Sequence, residues 1–439
     1  MSTVRTTWTV DEHLEDILAS IRPLDPIELQ LPDAQGCVLV DDVTVPVALP
    51  PFDNSSMDGY AVRVADVAGA SEEFPAVLTV IGDVAAGTGA LPEVGPGEAA
   101  RIMTGAPLPP GAEAVVPVEW TDGGSGGGAA TAMRAASAAP QDAAGEVRVH
   151  RPALARAHVR ARGSDVRAGE PALAAGTVLG PAQIGLLAAI GRGTVRVRPR
   201  PRVVVLSTGS ELAQPGEELG PGQIYDSNSY ALSAAARDAG AIAYRVGAVT
   251  DDADGLRSAI EDQLVRADLM VTTGGVSVGA YDVVKEALAG APGGDDEEGE
   301  GFGGVEFRRL AMQPGKPQGF GTIGPDHTPL LALPGNPVSS YVSFELFVRP
   351  AIRTLMGLKD IHRPRARAAL SADKPLTSPA GKRQFLRGTY DAEAGTVTPV
   401  GGAGSHLIAA LAHADALLVV PEDVTHVEPG TQLEVVRLG

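Results

Sequence analysis

Three glycine-rich loops each follow an apolar run of strand length: Ser207-Thr208-Gly209-Ser210-Glu211, Thr273-Gly274-Gly275-Val276-Ser277-Val278-Gly279 and Pro334-Gly335-Asn336-Pro337. A backbone without Cβ atoms lets an anionic group approach amide N–H donors, and a helix start adds partial positive charge. Such loops suit a phosphorylated or similarly anionic ligand. Carboxylates and hydroxyls recur beside them: Glu211 in the first loop, Asp226 ahead of a helical stretch, Ser277 and Asp282 around the second. Two carboxylates near a phosphate commonly hold Mg2+, a hard cation that keeps waters and bridges phosphate oxygens. Glu211 and Asp282 are the candidates for that role, whereas Asp226 better fits a helix cap. Gln313-Pro314-Gly315-Lys316-Pro317 either holds the Lys316 ammonium as a point charge for an oxyanion or is an ordinary turn with an exposed lysine.

The elements that must position these residues can be read from the apolar pattern. Val203 to Leu206, Leu269 to Thr272 and Leu330 to Leu333 lack polar alternation, as strands do when both faces of a parallel sheet are covered. From Arg202 onward, strands (203–206, 242–249, 269–273, one near 305–312, 330–333) alternate with helices (228–239, 253–266, 281–288, 338–356). This predicts a doubly wound, mostly parallel α/β domain over residues 200–357, with its ligand beyond the carboxyl ends of the strands. Before it, Leu14, Ile17, Leu18 and Ile21 repeat at helical spacing, and Thr9 with Glu12 forms a capping box. Short β-branched pieces broken by Gly and Pro mark a β-rich domain over 45–150. Within it, 121–145 is too poor in apolar side chains to offset the entropy of ordering and is expected to be mobile. Residues 1–44 and 151–199 form a helical connecting domain, and 358–439 a small C-terminal β-barrel. The acidic, Gly-rich stretch 291–304 reads as a solvated loop.

A chain of 439 residues needs several cores. Its net charge of −19 repels nucleic acid and anionic membranes, which are therefore not expected partners. Cys37 is the only cysteine, so no internal disulfide forms, and no Cys and His spacing suits structural zinc. No apolar run reaches the ~18 residues that span a bilayer, and no apolar signal core opens the chain. The expected location is the cytoplasm.

Two further polar runs are ambiguous by composition. Asp53-Asn54-Ser55-Ser56-Met57-Asp58-Gly59-Tyr60-Ala61 and Met103-Thr104-Gly105-Ala106-Pro107 read equally as structural turns. With Arg162-Gly163-Ser164-Asp165, Ser207 to Leu212, Thr273 to Gly279, Pro314-Gly315-Lys316-Pro317 and Leu333 to Ser339, however, they make seven motifs. Their order resembles that of the MoeA family of molybdopterin molybdenumtransferases, related to the E domains of a plant insertase and of animal gephyrin.

The resemblance implies an enzyme that takes adenylylated molybdopterin and molybdate, inserts the metal into the dithiolene and releases AMP in a Mg2+-dependent step. It implies an α/β domain like that of the adenylylating enzymes. It also implies an elongated homodimer of L-shaped, four-domain subunits, with the active cleft between the α/β domain of one chain and the β-rich domain of its partner. A molybdopterin adenylyltransferase and recipient molybdoenzymes would be further partners. Carried over by motif, Asp58, Thr104, Asp165, Glu211 and Asp282 are implied in catalysis. Thr208, Gly209, Asp226, Gly274, Gly275, Ser277, Gly279, Pro334, Gly335 and Asn336 are implied in binding the pterin nucleotide. Lys316, Ser339 and Ser405, with one of Lys382 or Arg383, are implied in holding molybdate. Three positions depart from the family pattern: Gln313 stands where Lys is frequent, Ser210 replaces an Asp, and Lys382 an Arg. Two rival readings are an adenylyltransferase of molybdopterin and a molybdopterin-binding scaffold without catalysis.

Overall fold

The computed structural model describes residues 7–439 apart from 88, 127, 134–144, 250–251, 276–282 and 289–302. Two compact units emerge, one built of the described residues up to Leu29, Gly36–Val40 and Arg196–Gly439, the other of Gln30–Gln35 and Asp41–Val195.

The first unit is organised by a six-stranded sheet in the order Ile242–Val249, Arg202–Thr208, Leu269–Thr273, Thr328–Leu333, Pro317–Ile323, Gly303–Arg309. The first four strands are paired parallel and the last two pairings are antiparallel, so that only Pro317–Ile323 runs against the rest and the sheet is mostly parallel as expected. Alternate residues of the apolar strands enter opposite cores. Val203, Val205, Leu269 and Val271 meet Leu232 and Phe347 on one face. Val204, Leu206 and Met270 meet Leu256 and Ile260 on the other. That double burial is why no polar residue interrupts these runs.

The strand Pro317–Ile323 is not expected from sequence, because Gly319 and Gly321 break its apolar pattern. Those glycines have a packing role: a Cβ at Gly321 would collide with the Gly304 carbonyl, and one at Gly319 would lie 2.9 Å from the Ala332 Cβ. The expected helix at 338–356 is Pro337–Ser343 continuing through a π-helical turn, Phe344–Val348, into Arg349–Leu355. The widened turn holds buried Glu345, which receives Arg363 at 2.8 Å. Arg363 also reaches Asp238 at 2.7 Å, tying the segment that leads into the C-terminal domain to the helix Asn228–Asp238.

That C-terminal domain is a closed barrel. Arg383–Asp391 pairs with Thr396–Pro399, which pairs with Arg365–Leu370, then Gln432–Arg437, then Ala416–Val420, which returns to the first strand. Leu386, Leu418 and Val435 fill its interior. Their neighbours Phe385, Leu417, Val419 and Val436 instead join the sheet core. Strand alternation thus docks the barrel on the α/β layers.

The second unit has a mixed five-stranded sheet in the order Ala114–Pro117, Gly59–Val62, Glu98–Ile102, Ala76–Val84, Gly145–Val149. A Cβ on Gly59 would collide with the Val116 carbonyl, so this position admits only glycine at the observed strand spacing. Part of 121–145 departs from expectation. Thr121 and Asp122 are buried, and the Asp122 carboxylate accepts the amides of Gly124 (2.9 Å), Gly126 (3.0 Å) and Arg148 (3.0 Å). One side chain satisfying three amides orders a segment that lacks apolar groups. Residues 134–144 of that stretch, and 291–302 of the acidic stretch, lie outside the described residues. No described helix is long and apolar enough to cross a membrane.

The N-terminal helix Val10–Ser20 carries the expected capping box, with Thr9 and Glu12 exchanging bonds of 3.0 and 3.1 Å. Its buried face includes His13, packed edge-on to Phe347 at 4.9 Å between ring centroids. The Arg308 guanidinium, a donor only, lies 3.4 Å from Nδ1, which must accept. Burial first, then Arg308, pushes the imidazole down to about 3, against the pull of Asp16. Because the folded value is depressed below the ordinary 6.5, the unfolded chain binds a proton that the fold excludes as pH falls between the two. Relative to a His13→Leu variant, the parent should lose about 1.4 kcal/mol of stability per pH unit between roughly pH 6 and 4. Urea midpoints at stepped pH check this, and parallel curves would show that His13 is not held neutral by the fold.

Candidate functional site

The three parallel strands that precede the glycine loops end at one sheet edge, in Thr208, Thr273 and Leu333. A hydrogen-bond node joins the second and third of these loops to the helix Asn228–Asp238. The Thr273 Oγ1 accepts from Asn228 Nδ2 at 3.0 Å, donates to the Pro334 carbonyl at 3.2 Å and lies 3.1 Å from Ser340 Oγ. Asn228 Nδ2 also donates to the Gly335 carbonyl at 2.7 Å. Gly274 and Gly275 turn with φ of +106° and +61°, and a Cβ on Gly274 would sit 2.6 Å from the Thr208 carbonyl. Glycine is therefore required on both counts. The N–H groups of Gly209 and Gly274 donate to the carbonyls of Val249 (3.3 Å) and Leu333 (3.2 Å), so these two hold the loops rather than a ligand.

A cavity of about 300 Å3 opens at this edge. Thr208, Glu211, Asp226, Gly274, Gly335 and Asn336 line it. The Thr208 hydroxyl is buried against Gly274 and Gly275 and has no hydrogen-bond partner among the described residues. The two carboxylates differ. Asp226 is fully buried and accepts from Ser207 Oγ at 2.9 Å and from the amide and hydroxyl of Ser229, with Arg245 at 3.9 Å. It caps the helix Asn228–Asp238 from just outside and has little capacity left. Glu211 is exposed, folds back over Gly209, and among the described residues its carboxylate has no partner. It is the group free to meet a cation. Ser277, Gly279 and Asp282 lie outside the described residues.

The barrel also reaches this cavity. The loop after Thr396–Pro399 lies against the start of the long helix, where the Ser405 carbonyl accepts the Val338 amide at 3.0 Å. His406 then lines the cavity. Arg387, 2% exposed, braces the loop by donating to the carbonyls of Gly404 (3.3 Å) and Gly402. Nothing in the sequence singles out His406 or Asn228 for this role. A signal for Arg387 is present: an arginine within Gln384-Phe385-Leu386-Arg387 must find acceptors when its strand is buried.

The residues implied for molybdate are dispersed. Ser339 is buried in the first turn of the long helix, and Lys316 is exposed after the cis Gln313–Pro314 peptide; neither lines the cavity. Lys382 is half-buried. Arg383 is committed elsewhere: it grips Asp11 through two bonds of 2.8 Å and Glu422 at 2.9 Å, and these carboxylates push its pKa upward. Of the Lys382 and Arg383 alternatives, Arg383 is thus a strut between the barrel and the N-terminal helix.

In the second unit, the polar motifs come together. Asp58 Oδ1 accepts the amide of Thr104 at 2.6 Å and its hydroxyl at 2.8 Å. Asp53 takes the Arg162 amide at 2.7 Å and Arg156 at 2.6 Å, and these bonds, Arg156 foremost, hold its pKa low. The Gly163 amide donates to Pro50 and the Asp165 amide to Leu49, each at 3.0 Å. Asp58, Thr104 and exposed Asp165 therefore sit on loops that brace one another.

Three family regions match the chain in order: the MoeA N-terminal region (domain I and II) over residues 8–191, a "probable molybdopterin binding domain" over 204–354, and the MoeA C-terminal region (domain IV) over 369–438. Molybdopterin molybdenumtransferase 2 of Mycobacterium tuberculosis is 47% identical over 97% of this chain and 98% of its own length. Molybdopterin molybdenumtransferase of Bacillus subtilis is 33% identical over 99% and 95%. Crystal structures of two molybdopterin biosynthesis MoeA proteins of Pyrococcus horikoshii superpose with TM-scores of 0.70 and 0.66 at 31% and 27% identity, each covering 99% of this chain and 100% of the other. Matched end to end, with the N-terminal, central and C-terminal regions in sequence, this chain belongs to the MoeA family.

Proposed function

We propose that this protein is a molybdopterin molybdenumtransferase: it takes adenylylated molybdopterin and molybdate, places molybdenum in the pterin dithiolene and releases AMP. The observation that carries this reading is the crevice in which the second and third glycine loops are stitched to the helix Asn228–Asp238, in a chain of this family. Nothing in the reaction requires a covalent bond to the protein, since the thiolates that receive molybdenum belong to the pterin. The protein's part is to bind, orient and counterbalance charge.

Within the crevice, the loop backbones bind the nucleotide, while Asn228 and Thr273 keep the second and third loops in register. The residues fit a magnesium ion. Glu211 offers a carboxylate with no other partner among the described residues, Asp282 follows the second loop in sequence, and Mg2+ is satisfied by one or two carboxylates together with substrate phosphates. When bound, the ion offsets charge on the phosphate oxygens as the phosphoanhydride opens. Lys316, Ser339, Lys382 and Ser405 are the proposed donors for molybdate. The protein acts in the cytoplasm as a homodimer whose cleft takes Asp58, Thr104 and Asp165 from the partner.

Replacing Glu211 or Asp282 with Ala should lower molybdate-dependent AMP release by about 100-fold or more, with the melting temperature unchanged, and chelation of Mg2+ should do the same to the parent. Parental turnover in both variants would remove them from the site. The shared cleft makes a separate prediction. Mixed and reassorted, inactive Asp58→Ala and Glu211→Ala chains should regain about a quarter of parental activity, because half the dimers carry one intact composite site. No recovery despite verified reassortment would place both residues in a site within one chain.

A further inference from the structure

The crevice presents an electrostatic problem for an anionic substrate. Its described lining holds two carboxylates, Glu211 and Asp226, and one side chain able to carry positive charge, His406. Lys316, Lys382 and Arg383 are not part of that lining. Asp226 is answered internally by two serines and Arg245, whereas Glu211 is not. A donor facing the ligand would therefore contribute strongly.

His406 belongs to the barrel, and its loop is fixed at two points, by the bond from the Val338 amide to the Ser405 carbonyl and by Arg387 at Gly402 and Gly404. Arg387 has no carboxylate partner among the described residues, and its Nε lacks any partner. Withdrawing a guanidinium from water for the sake of two loop carbonyls is costly unless the position of the loop matters. Within the described lining, the imidazole N–H of His406 is therefore the donor able to carry positive charge toward phosphate oxygens.

We propose that His406 donates a hydrogen bond to the phosphate of the nucleotide half of the substrate, and that Arg387 is the positioning residue that sets its loop. The C-terminal barrel then completes the nucleotide site of its own chain. This assignment rests on the crevice being the nucleotide site, as proposed above.

The test uses the full-length protein and AMP as the probe. Calorimetric AMP binding is measured for the parent, His406→Ala, His406→Gln and Arg387→Lys, alongside the molybdate concentration giving half-maximal AMP release from adenylylated molybdopterin. His406→Ala should bind AMP about tenfold more weakly or worse, with the molybdate dependence unchanged. His406→Gln, which keeps an N–H donor, should recover part of the affinity. Arg387→Lys should weaken AMP binding in the same direction from outside the cavity, and because its loop also carries Ser405, only the His406 variants test the selectivity. His406 is exposed, so its variants should melt with the parent; if Arg387→Lys fails to fold, the His406 pair decides. Parental AMP affinity in His406→Ala overturns the proposal, as does a defect confined to the molybdate dependence. If the parent itself binds no AMP, the nucleotide reading of the crevice falls first.

Discussion

The crevice depends on one hydroxyl, that of Thr273. Three loops leave the sheet at neighbouring strand ends, and nothing in a parallel ladder fixes loops beyond the last strand hydrogen bond. For the second and third loops, Thr273 Oγ1 supplies that constraint by meeting Asn228, Pro334 and Ser340 at once, while Asn228 extends the node to Gly335. In a buried setting such bonds are individually stronger and mutually polarising, and an unmade one is correspondingly costly. Gly274 and Gly275 adopt their left-handed turns directly after this pinned residue.

A comparable double use of groups holds the barrel to the α/β layers. A strand has two faces, and each barrel strand at the junction buries both. Leu386 and Leu418 look inward to the barrel, while Phe385, Leu417 and Val419 enter the core that also holds Phe347 and Val205. Burial of this kind stabilises by roughly 1.5–3 kcal/mol per large side chain, and it excludes a freely swinging C-terminal domain. The Arg383 pair with Asp11 adds a directional link at the rim, although a half-exposed pair of this sort contributes little stability by itself. A rigid junction is what allows a loop from the barrel to serve as a wall of a crevice built by another layer.

The legible parts of this chain are those governed by local pattern. Unbroken apolar strands, the capping box at Thr9 and Glu12, and the glycine loops all arise from rules that act over a few residues. Pro317–Ile323 is hidden because its glycines answer to the strands on either side, not to strand propensity. His13 is hidden because a histidine on an apolar helix face reads as polar until Phe347 and Arg308 are placed against it. Asn228 lies in a run suited to capping, yet its side-chain partners are 45 and 107 positions away. The loop at 401–406 gives no local sign that it reaches the crevice. Arg383 shows the converse: its charge and its place beside Lys382 make it one of two candidates for an oxyanion ligand, but two carboxylates, one of them at the far end of the chain, grip it.

The contrast between Asp226 and Glu211 bears most directly on how an acidic chain handles an anionic substrate. Both carboxylates line the same cavity, separated by a short stretch of chain. Asp226 is surrounded by donors, so its charge is spread over hydroxyls, an amide and a more distant guanidinium before any ligand arrives. Glu211 has no such company among the described residues. On the reading proposed above, a divalent cation held there would offset that charge, so that the same carboxylate would help to draw in a phosphate it would otherwise repel.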